Sequence, residues 1–260
     1  YYVHDHVSAG KKAAFIHVDY VQAGYTRRLD KDCYVDFDRI FAVSDETAGV
    51  FAGVYPECQQ KLSVFHNLID TETIRQKALL PAQKSMHEGI RLLTVGRLTP
   101  QKGFDCAVYA LKLLLEKQYP VYWYIIGEGP EYGRLTQLAR SLHVEDHFIF
   151  LGMQTNPYPY FKMADFYIHA TRFEGKSIAI QEAQVLGCAI AASDCSGNRE
   201  QIVSGVDGLL CPFSPEGIAN AVEYLIEHPQ TAESFGRAAA QKACHFENDI
   251  HMIRDLLYSP

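Results

Sequence analysis

The sequence has no excess of basic residues. Its 24 Lys and Arg are outnumbered by 31 Asp and Glu, giving a formal net charge of −7. The broad cationic footprint of a nucleic-acid binder is therefore absent, although a local cationic pocket stays open. No apolar run approaches the roughly 18 residues of a membrane span, and no secretory signal pattern is present. Cys-x-x-Cys is missing as well. The seven cysteines (Cys33, Cys58, Cys106, Cys188, Cys195, Cys211 and Cys244) are odd in number and fall mostly in apolar runs. That favours free buried thiols in a reducing cytoplasm over a disulfide framework or a zinc site.

Three catalytic signatures are also lacking. Without G-x-G-x-x-G a dehydrogenase is disfavoured, and Gly127-Glu128-Gly129-Pro130 reads only as a tight turn. Eleven histidines are present, yet none forms H-E-x-x-H. His4 and His6, as His-Asp-His, are expected at the surface or a strand edge, and no metal ligand set is expected. Ser44 and Ser177 stand outside any G-x-S-x-G nucleophile elbow.

What is present is core material: 260 residues, 48% hydrophobic, enough for one to two domains. From Gly89 onward, apolar runs at 90–95, 121–126, 148–151, 166–170, 188–192 and 208–211 alternate with helical patterns. One of these places Ala107, Val108, Leu111, Leu114 and Leu115 on one face; another does the same for Leu135, Leu138, Ala139 and Leu142. The alternation predicts an α/β, Rossmann-type parallel sheet with helices on both faces. Residues 1 to about 70 read as the tail of another α/β domain, with strands near 13–18, 39–43 and 62–65. A breaker-rich stretch at 81–88 is expected to connect the two, giving domains 1–85 and 86–260. The chain starts at Tyr1 in what reads as folded sequence, so the first domain is expected to be partial.

Ligands of open parallel sheets bind beyond the carboxyl ends of the strands. After 90–95 come Arg97 and Lys102 in a glycine-flanked turn; a planar guanidinium fork and a mobile ammonium suit a diphosphate, although both also fit solvated loop cations. After 148–151 the backbone around Gln154 can face a nucleobase. The stretch Ile168 to Gly187 holds a strand end, a loop with Glu174 and Gly175, and a helix opening at Ser177 and closing at Gly187. A helix start there suits a phosphate. Glu182, more than a turn inside, suits sugar hydroxyls, because an ionised carboxylate only accepts. Taken alone, the stretch also fits an ordinary strand–loop–helix step with two surface glutamates.

Taken together, these motifs have a precedent. Gly96-Arg97-Leu98 with Lys102-Gly103, Glu174-Gly175-Lys176-Ser177 with a second glutamate at Glu182, and Gly205-Val206-Asp207-Gly208-Leu209-Leu210 follow in that order. The combination resembles the C-terminal half of a family-4 retaining glycosyltransferase of the GT-B fold. The earlier Phe15 to Tyr20, Ile40 to Ser44 and His66 to Asp70 resemble the last third of the N-terminal domain of such enzymes. Glu-Gly-Lys-Ser in place of the commoner Glu-Gly-Phe-Pro is a departure, seen in relatives that build cell-surface polysaccharides.

The resemblance implies a site residue by residue. Arg97 and Lys102 hold the diphosphate of a nucleotide-sugar, UDP- or GDP-linked. Amides from Gly175 through Lys176 and Ser177 to Ile178 face phosphates or sugar, Glu182 takes the ribose hydroxyls, and backbone near Gln154 meets the base. Glu174 touches the donor sugar, and His17 approaches it from the N-terminal domain. The catalytic set so implied is Glu174, Lys102, Arg97 and His17. No cofactor or metal is expected, because Arg97, Lys102 and a helix N-terminus stabilise the leaving diphosphate. The expected activity is transfer, with retention, to a saccharide or lipid-linked acceptor in cell-surface polysaccharide synthesis. It is expected in the cytoplasm with peripheral membrane contact possible, and this chain by itself is expected to be poorly active. A non-catalytic nucleotide-sugar-binding module and a nucleotide-sugar epimerase of the same fold remain open.

Overall fold

A computed structural model describes residues 2–243 and 249–258. The chain forms two compact units: a smaller one of Tyr1–Leu68, Phe173–Ser177 and Glu247–Pro260, and a larger one of Ile69–Arg172 and Ile178–Phe246. The sequence predicts a change of domain at 85/86; the compact units divide after Leu68. The reason is packing: the helix Thr71–Ala78 buries Ile74 and Ala78 in a core of the larger unit. Residues 173–177 and the C-terminal segment also belong to the smaller unit, which no composition shift announces.

The smaller unit is built on three parallel strands, β1 (Ala13–Ile16), β2 (Arg39–Ala42) and β3 (Leu62–Val64), in the order β1-β2-β3. The helix Asp45–Val54 starts as its sequence predicts. Ser44 accepts from the Thr47 amide at 3.2 Å, and Asp45 and Glu46 occupy the positive end of the dipole. Ile16, Ile40, Ala42, Phe51, Tyr20 and Tyr55 are its core. His4 and His6 are on a helical turn, Tyr2–His6, not a strand edge; His4 pairs with Asp5 at 2.6 Å and Asp36 at 2.7 Å. Asp249 anchors the segment before the helix Ile250–Tyr258, accepting from the His66 amide at 2.7 Å.

The larger unit carries six parallel strands, β4 (Ile90–Val95), β5 (Val121–Ile126), β6 (Phe148–Gly152), β7 (Phe166–His169), β8 (Ala189–Ser193) and β9 (Leu209–Cys211). Their order is β6-β5-β4-β7-β8-β9. Both faces are covered, which is why the strands read as continuous apolar runs and do not alternate with polar residues. Leu92, Trp123, Ile125, Ile168 and Ala191 point into one core with Leu111, Leu135 and Val222. Leu93, Tyr124, Ile126, Tyr167 and Ile190 point into the other, with Ile74, Tyr160 and Ile180.

The helix Pro229–Ala243 buries mainly small residues, Ala232, Gly236, Ala239 and Ala243, with one Phe235. Small residues are required there. A Cβ at Gly236 would overlap the Gly187 carbonyl oxygen. The cysteines behave as the sequence suggests. None of the six described ones is in a disulfide, five are buried, and burial pushes Cys188 and Cys211 up to about 12, far from thiolate chemistry. Cys244 lies outside the described residues. Among those described, no helix is long and apolar enough to cross a membrane.

Candidate functional site

Strand order reverses between β4 and β7. From β4 the chain proceeds outward to β5 and β6, then returns to β7 and proceeds the other way. Segments leaving β4 and β7 diverge at this switch point, and the crevice between them is where such sheets hold ligands. The segment after β4 carries Arg97 and Lys102. Arg97 is exposed, and no hydrogen bond or ion pair ties its guanidinium to the described residues. Lys102 ends the 3-10 turn Pro100–Lys102 and folds back toward the strand end, its Cδ 3.8 Å from where a Cβ of Gly96 would lie. The fold therefore brings a fork and a point charge to one strand end.

Two sets of contacts fix this segment. Gly127 and Gly129, read from sequence as a tight turn, do more than turn. Gly127 has φ +142, and a Cβ there would overlap the Gly96 carbonyl; one at Gly129 would overlap Leu98. With no side chains between them, the backbones bond directly: Gly96 N to Ile126 O (2.9 Å), Leu98 N to Glu128 O (2.9 Å), and Glu131 N to Leu98 O (3.1 Å). On the other side the residues after β7 hold the 3-10 turn. The Arg172 amide donates to Gln101 O at 2.8 Å and its guanidinium to Pro100 O at 2.5 Å. The same guanidinium grips Asp105 with both nitrogens (3.0 and 2.8 Å) and lies 4.9 Å over the Phe213 ring. Spacing gave no hint of Arg172, because its partners are remote in sequence.

The helix Ile178–Val185 follows the loop after β7. Its first amides have no intrahelical acceptor, and its first turn holds no acidic side chain to cancel the dipole. Its end is as expected: Gly187 sits at φ +70 and the Cys188 amide reaches Ala183 O at 3.0 Å. Glu182 lies in the second turn and accepts from the Tyr158 hydroxyl at 3.0 Å. Gln154 follows β6; its side-chain amide donates to Leu151 O (2.8 Å) and accepts from the Tyr160 hydroxyl (3.4 Å), so both ends of the amide already engage the protein.

Burial pushes the Glu182 carboxyl above the usual carboxylate range, with the Tyr158 hydrogen bond acting in the opposite sense. An acid whose folded pKa is raised costs stability once the pH exceeds that pKa, and costs nothing below its unfolded value. Glu182→Gln is therefore expected to melt at a higher temperature than the wild type at pH 8. The gap should close as pH falls through the acid range. Equal melting temperatures at pH 8 would refute this reading of the burial.

The remaining predicted residues belong to the smaller unit. His17 is exposed just past β1, 6.0 Å from the Phe15 ring. Gly175 rests on it, because a Cβ at Gly175 would overlap the His17 carbonyl oxygen. Glu174 and Ser177 are buried, and the Lys176 carbonyl accepts from the Asn67 side-chain Nδ2 at 3.1 Å. His17 and the Glu174 loop are thus brought together, as the motif order alone did not predict. Groups of three or more His, Cys, Asp or Glu that could hold a metal are absent among the described residues.

The larger unit is doubly wound and parallel, and it carries Arg97 and Lys102 in the turn after β4 at its switch point. Residues 75–242 match the model for glycosyl transferases group 1, and the chain belongs to that family. It is 29% identical over 200 residues to a Campylobacter jejuni enzyme, N-acetylgalactosamine-N,N'-diacetylbacillosaminyl-diphospho-undecaprenol 4-alpha-N-acetylgalactosaminyltransferase. That match covers 76% of this chain and 53% of the enzyme. A Haemophilus influenzae glycosyltransferase is 32% identical over 158 residues, 58% of this chain and 44% of the relative. The chain spans about half the length of these curated relatives. Among solved structures, Anabaena HepE in complex with UDP and glucose superposes with a TM-score of 0.81 at 19% identity, over 96% of this chain and 72% of HepE. The fold is GT-B-like.

Proposed function

We propose that this chain carries the donor-binding machinery of a retaining glycosyltransferase that moves a hexose from a nucleotide-sugar, UDP-linked before GDP-linked, to a saccharide or lipid-linked acceptor. One observation carries the reading. At the switch point, Arg97 and Lys102 occupy a turn held rigid by the Gly127–Gly129 backbone on one side and Arg172 on the other. Breaking a glycosyl–phosphate bond places negative charge on the leaving diphosphate. Cations and helix amides already oriented toward it stabilise that charge without reorganising during the reaction. Glu182 accepts from the ribose hydroxyls, and Gln154 presents backbone to the base.

Glu174 and His17 are assigned to the donor sugar by family resemblance, and no divalent metal takes part. The relatives' names support cell-surface glycan assembly, since the Campylobacter enzyme acts on a diphospho-undecaprenol carrier by its name. Calorimetric titration of UDP and of GDP into the chain, with EDTA present, tests the reading. One nucleotide is expected to bind with EDTA present. Binding of neither, with binding restored by magnesium, would overturn the metal-free assignment; binding of neither under any condition would overturn the donor site.

A further inference from the structure

Tyr158 opens the helix Tyr158–Met163, and its hydroxyl reaches across 24 residues of sequence to Glu182 Oε1 at 3.0 Å. No described residue bonds the other carboxylate oxygen. Burial and the nearby Glu182 charge push the Tyr158 hydroxyl up to about 12, so it stays protonated, and a donor, throughout the working pH range. Tyr158 is also the one titratable group among the described residues that offsets the burial of Glu182.

A carboxylate has about four acceptor sites, two on each oxygen, and with both oxygens open it grips the 2′- and 3′-hydroxyls of ribose evenly. Here Oε1 already spends one of its sites on the phenol, which makes it the poorer acceptor of the two. We propose that Tyr158 is a positioning residue that sets ribose specificity. By holding Glu182 Oε1, it turns Oε2 toward the nucleotide, so that one ribose hydroxyl is bound strongly and the other weakly. This inference rests on the assignment of Glu182 to the ribose. The phenol fixes the carboxylate rotamer, whose freedom would otherwise be lost on binding. It also favours the ionised form against the effect of burial, and only the ionised form is acceptor-only at both oxygens.

The test measures binding of UDP, 2′-deoxy-UDP and 3′-deoxy-UDP by calorimetry, with the GDP series substituted if GDP is the nucleotide that binds. The wild type, Tyr158→Phe and Glu182→Gln are compared from pH 5 to 8. In the wild type, removing one hydroxyl should weaken binding roughly tenfold and removing the other less than about threefold. Tyr158→Phe should bind the parent nucleotide roughly threefold to tenfold more weakly. It should also make the two deoxy penalties nearly equal and move the acid limb of the binding profile to higher pH. A loss of packing alone would lower affinity without touching the penalty ratio or the pH profile.

If Tyr158→Phe keeps the wild-type ratio and profile while Glu182→Gln loses ribose discrimination, the role of Tyr158 is wrong and the Glu182 assignment stands. If Glu182→Gln binds all three nucleotides as the wild type does, the ribose assignment fails and takes this inference with it.

Discussion

Lys102→Ala will weaken binding of the preferred nucleoside diphosphate roughly tenfold to hundredfold, because a charge-assisted hydrogen bond to phosphate contributes about 1.5–3 kcal/mol. The size follows from how Lys102 is held. Its turn is bonded on one side to Arg172 and closed by Gly103 at φ +63, where a Cβ would overlap the Ala170 carbonyl. The backbone that carries the ammonium is therefore already placed by the fold. The fold should not suffer, since Lys102 is half-buried and belongs to neither core. Calorimetry with an unchanged circular dichroism spectrum checks it. An affinity within twofold of the wild type would remove Lys102 from the phosphate site. Raising ionic strength should weaken the wild type more than the variant, because the variant has one fewer cation to screen.

The second large effect is on stability. Gly127→Ala should destabilise the chain by roughly 3–5 kcal/mol, combining backbone strain at a φ that L-residues avoid with a steric overlap that must push β5 and β4 ends apart. Because the displaced backbone is Gly96, next to Arg97, the surviving folded protein should also bind nucleotide more weakly. Gly133→Ala is the matched control. Gly133 lies in the helix Tyr132–Ser141 with nothing within 4 Å of its would-be Cβ, and alanine there should stabilise by about 0.4–1 kcal/mol. Urea midpoints of the two variants, read against the wild type, decide the matter. Similar midpoints for both would mean that the Gly127–Gly96 approach is not under constraint.

These glycines also show where sequence reading stopped. Arg97, Lys102 and Glu182 were legible because each follows a recognisable apolar strand, and position after a strand suffices to nominate a residue in a parallel sheet. Gly127 and Gly129 were visible as turn residues, yet what makes them necessary is the backbone of another strand's loop. Tyr158 and Arg172 carried no signal at all. Their partners, Glu182, Asp105 and the Pro100 carbonyl, become neighbours only once β4, β6 and β7 lie in register.

Gln154 illustrates the opposite case. Its position was predicted from the bend after β6, but only the folded chain shows its side chain committed to the Leu151 carbonyl. In the helix Pro229–Ala243 the small size of the buried Ala and Gly residues answers to the Gly187 backbone, a constraint the packed chain alone reveals.

By itself the sequence determined the parallel α/β architecture, the helix caps at Ser44 and Gly187, and the segments from which a ligand site is drawn. All three depend on local periodicity and on residues a few positions apart, and such information is written along the chain. Tertiary structure alone decided that residues 173–177 and the C-terminal segment belong with the first strands, that Gly175 rests on His17, and that Tyr158 holds Glu182. Those outcomes depend on which surfaces bury one another across many residues of separation, and burial energy is a property of the packed sheet and its helices, not of any single stretch.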